Sequence, residues 1–402
     1  MNKRLILSIL ISPLLCTSIV FCKTVFANDN VIAIKRPLQS NLPLPKIDAT
    51  AWSLMEVNSG WVVAGKNSDQ PLPPASITKL MSNYVLFSKL KAGDIKLEDQ
   101  VSISEDAWKA EGSRMFANVN SQISLESLLR STIVQSGNDA AIALAEHVAG
   151  SEPAFASLMN QSAAKLSLQN SFFVNSTGLP ADGHSMSAND IATLSAAIIK
   201  EFPDYYPWYA EKSYRHNEIT QFNRNKLLWK DSTIDGLKTG HTKAAGFCLV
   251  GTAKRNGQRW IAVVLGSQSE KSREQAVMSL LNYAFSAFEP MQILNQQGGV
   301  TSVEVFKGNV DSLRLQTRGA VNIVVPRGRK EDIAMEFNLN RYFVAPIEVG
   351  NAMGVASVSL DNQVIADVPL VAMSSIKEGG FWKKFKDGIR LQYREWGAAN
   401  ND

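Results

Sequence analysis

Pro74-Ala75-Ser76-Ile77-Thr78-Lys79 sets a serine and a lysine three residues apart, directly after the proline-rich run Pro71-Leu72-Pro73-Pro74. Residues i and i+3 share one face of a helix, so the hydroxyl and the amine can meet. A serine is a weak nucleophile until a base takes its proton, and an unprotonated lysine can be that base. From Ser76 to about Lys91, Ile77, Leu80, Met81, Tyr84, Val85 and Leu90 recur with helical period, which puts Ser76 at a helix N-terminus. The dipole there favours developing negative charge. The pattern alone is cheap, with further copies at Ser88–Lys91, Ser162–Lys165 and Ser374–Lys377. Ser76 stands out because Ser136-Gly137-Asn138 and then Lys238-Thr239-Gly240 follow it, in the order of a serine acyl-transfer site.

Each motif has a structural reading beside the chemical one. Ser136-Gly137-Asn138 is either a turn with helix-capping residues or part of a site. Ser187-Ala188-Asn189 repeats its outline. Lys238-Thr239-Gly240 is either an exposed turn or a substrate-binding strand. On the chemical reading, Ser76 is the nucleophile and Lys79 its base. Burial and a nearby positive charge, with Lys238 the candidate, would release the proton that lysine holds at neutral pH. Ser136 would relay a proton to the leaving amine, and Asn138 would hold the substrate amide or orient Lys79. Lys238 and Thr239 would bind a terminal carboxylate, and Gly240 would let substrate backbone lie close along the strand. The backbone N–H groups of Ser76 and His241 would form the oxyanion hole.

The 402 residues suffice for two or three domains. Lys3 and Arg4, an apolar run from Leu5 to Phe21, and Val25-Phe26-Ala27 read as a signal peptide cut before Asn28, against the alternative of a retained membrane anchor. Its removal takes away Lys3, Arg4 and Lys23 and no acid, lowering the formal charge from +4 to +1. Nucleic-acid binding is therefore not expected. Cys248 is then the lone cysteine and reads as a small buried residue. No cluster with zinc-ligand spacing is present, so neither a metal nor a cofactor is expected.

Around these motifs the sequence predicts a hairpin of Trp52–Val57 with Trp61–Ala64, and helices over 125–135, 139–149, 154–168, 190–199 and 272–287. A second hairpin, Phe247–Ala253 with Trp260–Leu265, turns at Asn256-Gly257. The aromatic stretch Phe202–Tyr209 either rims a cleft or fills the core. After Pro290 the texture changes to short alternating runs, read as a small all-β domain over 290–377 that spaces or supports. In 378–402, Phe381, Trp382, Phe385, Ile389, Tyr393 and Trp396 form one helical stripe. Lys383, Lys384, Lys386, Arg390 and Arg394 flank it. Such a helix either lies in a membrane interface or docks on protein; the aromatic stripe and basic flanks favour the membrane.

Ser-Ile-Thr-Lys from Ser76, Gln135-Ser-Gly-Asn-Asp139 and Lys-Thr-Gly-His-Thr from Lys238 resemble the active-site motifs of the low-molecular-mass penicillin-binding proteins, D-alanyl-D-alanine carboxypeptidase type. The resemblance covers nearly the whole mature chain. It implies an α/β peptidase domain with an antiparallel sheet over 28–289, then the β-rich domain and an amphipathic anchor. It also implies removal of the terminal D-alanine from peptidoglycan pentapeptide through an acyl-serine, acylation by β-lactams, and a place on the periplasmic side of the inner membrane. The resemblance also implies that an arginine after the last sheet strand can help bind carboxylate; Arg273 and Arg224 are the candidates, with a structural ion-pair role the equal alternative for both. A D,D-endopeptidase, a class A-like β-lactamase and an inert envelope scaffold are the alternatives. The β-lactamase would need a glutamate to activate water, and none stands out between the second and third motifs.

Overall fold

The computed structural model describes residues 33–34, 42–294 and 299–399; the expected leader, 1–27, lies outside the described residues. At the centre is a five-stranded antiparallel sheet. Its strands are β1 (Ala51–Glu56), β2 (Val62–Lys66), β3 (Ile234–Thr242), β4 (Gly246–Arg255) and β5 (Gln258–Ser267). The spatial order is β2-β1-β5-β4-β3, which leaves β3 as an edge. Asn256 and Gly257, at φ 50° and 79°, make the tight β4–β5 turn that Asn-Gly predicts.

Alternate residues of β5 enter two different cores. Ile261, Val263 and Leu265 pack with the helices on one face, while Trp260, Ala262 and Val264 pack with the opposite cluster. A strand covered on both faces reads as a continuous apolar run, as this one does. The first core holds α1 (Lys79–Ala92), α2 (Leu125–Val134), α3 (Asn138–Ala149), α4 (Glu152–Lys165) and α5 (Ala188–Glu201). The second is covered by α6 (Glu270–Ala287) and runs on into the β-rich region. Phe202, Tyr206 and Tyr209 are buried, and Phe87 of α1 stacks on Tyr205 at 4.9 Å. Phe202, Tyr206 and Tyr209 of the aromatic stretch therefore fill the core.

The β-rich region holds a seven-stranded sheet built mainly from 301–306, 312–316, 333–339, 352–360 and 363–372. Its first strand, Phe288–Leu294, pairs with Val321–Pro326, so strand pairing here begins ahead of Pro290. The last helix, α7 (Phe381–Ala399), turns Asp387 and Leu391 inward. Asp387 accepts from the Lys307 N–H at 2.7 Å, and Arg390 and Arg394 pair with Glu304 at 3.0 and 2.9 Å. Part of the basic flank thus engages the β-rich region.

Candidate active site

The sequence leads one to expect Ser76 on an α-helix. It sits instead in a 3₁₀ turn, Ala75–Thr78, that feeds α1 at Lys79. The turn is forced by close neighbours on two sides. A Cβ on Gly240 of β3 would lie 2.9 Å from the Pro74 carbonyl oxygen. A Cβ on Gly178, itself at φ 84°, would lie 1.9 Å from the Ala75 oxygen. Gly240, expected to make room for substrate, is first required by the packing of β3 against the nucleophile's own turn. Ala75 is held at φ 49°, a left-handed conformation that costs a non-glycine residue about 1 kcal/mol or more.

Lys79 is fully buried, and three contacts fix its amine: Ser76 Oγ at 3.4 Å, Asn138 Oδ1 at 2.6 Å and the Thr177 carbonyl at 2.8 Å. Burial pushes its pKa down from 10.5 to about 7 against the pull of Glu152 and Asp139, and Arg224 pushes the same way. Arg224 thus adds a second positive charge to the one the sequence suggested, Lys238. Lys238 is itself held well below the ordinary lysine range by burial and by repulsion from Lys79, Arg224 and Arg273. Asn138 also donates from Nδ2 to the Glu111 carbonyl at 2.6 Å, tying the base to the loop across the cavity.

Ser76 and Ser136 open onto one cavity of about 600 Å³, with Thr239, Gly240, His241, Arg224 and Arg273 among its walls. Ser136 is 2% exposed at φ 69°, and its Oγ has no hydrogen-bond partner among the described residues. An unpartnered buried hydroxyl costs about 1–3 kcal/mol, which a substrate contact would recover. The backbone around it is clamped: Gly137 N–H donates to the Ser131 carbonyl at 3.2 Å, and Arg224 Nε donates to the Gln135 carbonyl at 3.0 Å. Arg273, 4% exposed, donates to the Gly240 carbonyl at 3.2 Å, and its Nε has no partner among the described residues. His241 is exposed and stacks on Phe247 at 4.1 Å. Lys238 is buried and is not among the walls; its amine meets the Thr239 carbonyl at 3.1 Å. The cavity's one carboxylate among the described residues, Glu270, is paired with Lys226 at 2.7 Å.

The structure therefore gathers all nine candidates, Ser76, Lys79, Ser136, Asn138, Lys238, Thr239, Gly240, His241 and Arg273, in and behind one cleft wall. It also brings in residues that sequence reasoning missed. Asp139 accepts from the Met115 and Phe116 N–H groups, each at 3.0 Å, and so pins the facing loop. Thr177 and Gly178 come from a segment legible only as turn-rich. A carbonyl that grips a lysine has no side-chain signature, so no motif marks Thr177.

The chain belongs to the D-alanyl-D-alanine carboxypeptidase family, whose profile matches residues 38–269. A second profile, for the C-terminal domain of penicillin-binding protein 5, matches residues 288–378. The chain is 37% identical to D-alanyl-D-alanine carboxypeptidase DacA of Escherichia coli K12 over 403 residues, 98% of each protein. It is 36% identical to DacC of the same strain over 366 residues, 89% of this chain and 92% of that one. The crystal structure of penicillin-binding protein 5 from Haemophilus influenzae superposes with a TM-score of 0.82 at 36% identity, covering 84% of this chain and 100% of that one. The expected fold, an α/β peptidase domain followed by an all-β domain, is the architecture of this family, and the expected C-terminal helix is present at Phe381–Ala399.

Proposed function

We propose that the protein removes the terminal D-alanine from peptides ending in D-Ala-D-Ala, with Ser76 as nucleophile and Lys79 as its base. One observation carries this reading: a buried lysine with a pKa near neutrality touches a serine that opens onto a cation-walled cleft. Lys79 takes the Ser76 hydroxyl proton as Oγ bonds to the carbonyl carbon of the penultimate D-alanine. The peptide N–H groups of Ser76 and His241 receive the oxyanion. The C–N bond then breaks, and the proton passes by way of Ser136 to the departing D-alanine amine. Water cleaves the remaining ester and restores Ser76. Arg273 and Arg224 supply the charge that seats a terminal carboxylate and Thr239 a hydroxyl to hydrogen-bond it, while Lys238 lies buried behind the wall. A β-lactam, which is a strained amide with a neighbouring carboxylate, meets the same groups and acylates Ser76.

Incubating residues 28–402 with a peptide ending in D-Ala-D-Ala should release one alanine, read by mass spectrometry. Cleavage confined to cross-linked dimers would replace this reading with an endopeptidase. No cleavage of either, with no penicillin adduct, would leave an inert scaffold. A class A-like β-lactamase is disfavoured, since no glutamate from between the second and third motifs walls the cleft among the described residues.

The same proposal includes attachment to a membrane surface on the periplasmic side of the inner membrane. Phe381, Trp382, Phe385, Ile389 and Trp396 of α7 are all exposed, and Phe381, Trp382 and Trp396 keep 70% or more of their surface. Their apolar stripe suits a lipid interface. No helix among the described residues is long and apolar enough to cross a membrane. Deleting residues 378–402 should abolish co-sedimentation with vesicles containing anionic lipid and leave D-alanine release unchanged. Undiminished sedimentation would overturn the attachment.

A further inference from the structure

His184 is buried, lies outside the three motifs in sequence, and uses both ring nitrogens. Nε2 lies 2.8 Å from Thr78 Oγ1, in the turn that carries Ser76. The single hydroxyl proton of Thr78 goes to the Ala75 carbonyl at 2.8 Å. The imidazole must therefore donate at Nε2. Nδ1 accepts from the Val174 N–H at 3.2 Å, and a backbone N–H can only donate. The two contacts thus define one neutral tautomer. Burial supports it, pushing the pKa down to about 4. Phe173 covers the ring edge-on at 5.9 Å.

This chain ends on the peptide group that matters. The Ala75 carbonyl and the Ser76 N–H belong to one trans peptide and point in opposite directions. Fixing the carbonyl fixes where the N–H aims. The oxygen is held from two sides, by the Thr78 hydroxyl and by the Gly178 backbone packed against it. The segment that His184 grips at Val174 also leads to Thr177, whose carbonyl holds Lys79 at 2.8 Å. We infer that His184 is a positioning residue: through Thr78 it aims the Ser76 N–H at the developing oxyanion, while the Val174 N–H fixes the tautomer that makes Nε2 the donor. The inference rests on the reading of Ser76 as nucleophile.

Two conservative replacements separate the two contacts. His184→Gln puts a donor near the Nε2 position and keeps the link to Thr78. His184→Asn puts an acceptor near the Nδ1 position and keeps the link to Val174. The measurement is the acylation rate constant of full-length protein with a chromogenic penicillin, the adduct being located by peptide mapping. His184→Asn and Thr78→Val should acylate about 10–100-fold more slowly, part of what losing an oxyanion donor typically costs. His184→Gln and Thr78→Ser should stay within about threefold of wild type. The double variant His184→Asn/Thr78→Val should be no slower than the slower single, because both break one chain. Binding of a D-Ala-D-Ala peptide without reaction, read in a Ser76→Ala background, should not change.

A purely structural His184 would lower the melting temperature of both variants and leave acylation of the folded protein alike in both. That result, or effects of His184→Asn and Thr78→Val that multiply, overturns the inference. A wild-type adduct on a residue other than Ser76 overturns the nucleophile reading and the inference with it. An adduct on Ser76 without the Asn/Gln contrast overturns the inference alone.

Discussion

Ser76→Ala protein takes up no label from fluorescent penicillin and releases no D-alanine, while it folds and melts as the wild type does. The chemical loss is large because alanine offers no group to form the acyl ester. Removing a serine nucleophile that works with a base typically costs about 10⁶-fold in turnover, and what binding and the oxyanion hole leave behind is only about 10³–10⁴-fold above the reaction in water. The structural loss is small. Ser76 is only partly buried, and its hydroxyl makes one long contact, 3.4 Å from Lys79 Nζ. A change of that kind lies within about 1 kcal/mol of neutral. The specificity of the result comes from Ser88→Ala, which alters another Ser-x-x-Lys copy. Ser88 Oγ bonds its own helix at the Tyr84 carbonyl, and the Lys91 amine turns to the Glu201 carbonyl. That variant should label and turn over normally. Label retained by Ser76→Ala would move the nucleophile elsewhere.

What the sequence reveals here depends on how local the cause is. Asn256-Gly257 marks a turn because two adjacent residues carry the whole conformational preference. The apolar run Trp260–Leu265 reads as a strand because both of its faces are covered by hydrophobic neighbours. The catalytic motifs are legible because their side chains carry the chemistry. What escapes is set by closure over distance. His184 meets Thr78 across 106 residues, and its neighbours Asp182-Gly183 read only as a turn. The hairpin of Ser213–His216 with Ile219–Phe222 is largely exposed, so it has no buried face to impose alternation. Pro290 obscures the strand Phe288–Leu294, although that strand pairs antiparallel with Val321–Pro326, with one register shift between Gln292 and Leu294. The 3₁₀ turn at Ser76 has the same origin: helical periodicity extends back to Ile77, but contact with Gly178 and Gly240 decides the backbone.

Acylation by penicillin should rise with pH through a midpoint near 7 and then level off. Lys79 accepts the serine proton only as the neutral amine, and burial lowers its pKa to about 7. Below the midpoint each unit of pH protonates the base tenfold further, so at pH 5 the rate should be about 1% of the plateau. Penicillin is a clean probe, since its carboxylate is ionised throughout and only acylation is read. The neighbours give the midpoint a sign. Glu152 raises the Lys79 pKa, so Glu152→Gln should shift the midpoint to lower pH. Arg224 lowers it, so Arg224→Ala should shift the midpoint to higher pH. Lys79→Arg should acylate at least about 1,000-fold more slowly at every pH, because a guanidinium does not release its proton and cannot act as a base. Opposite displacements by two residues of opposite charge are hard to obtain from a base other than the one they flank. A flat profile, or one whose midpoint ignores both substitutions, would assign the proton to a different group and leave Lys79 as a buried hydrogen-bond donor to Asn138 and Thr177.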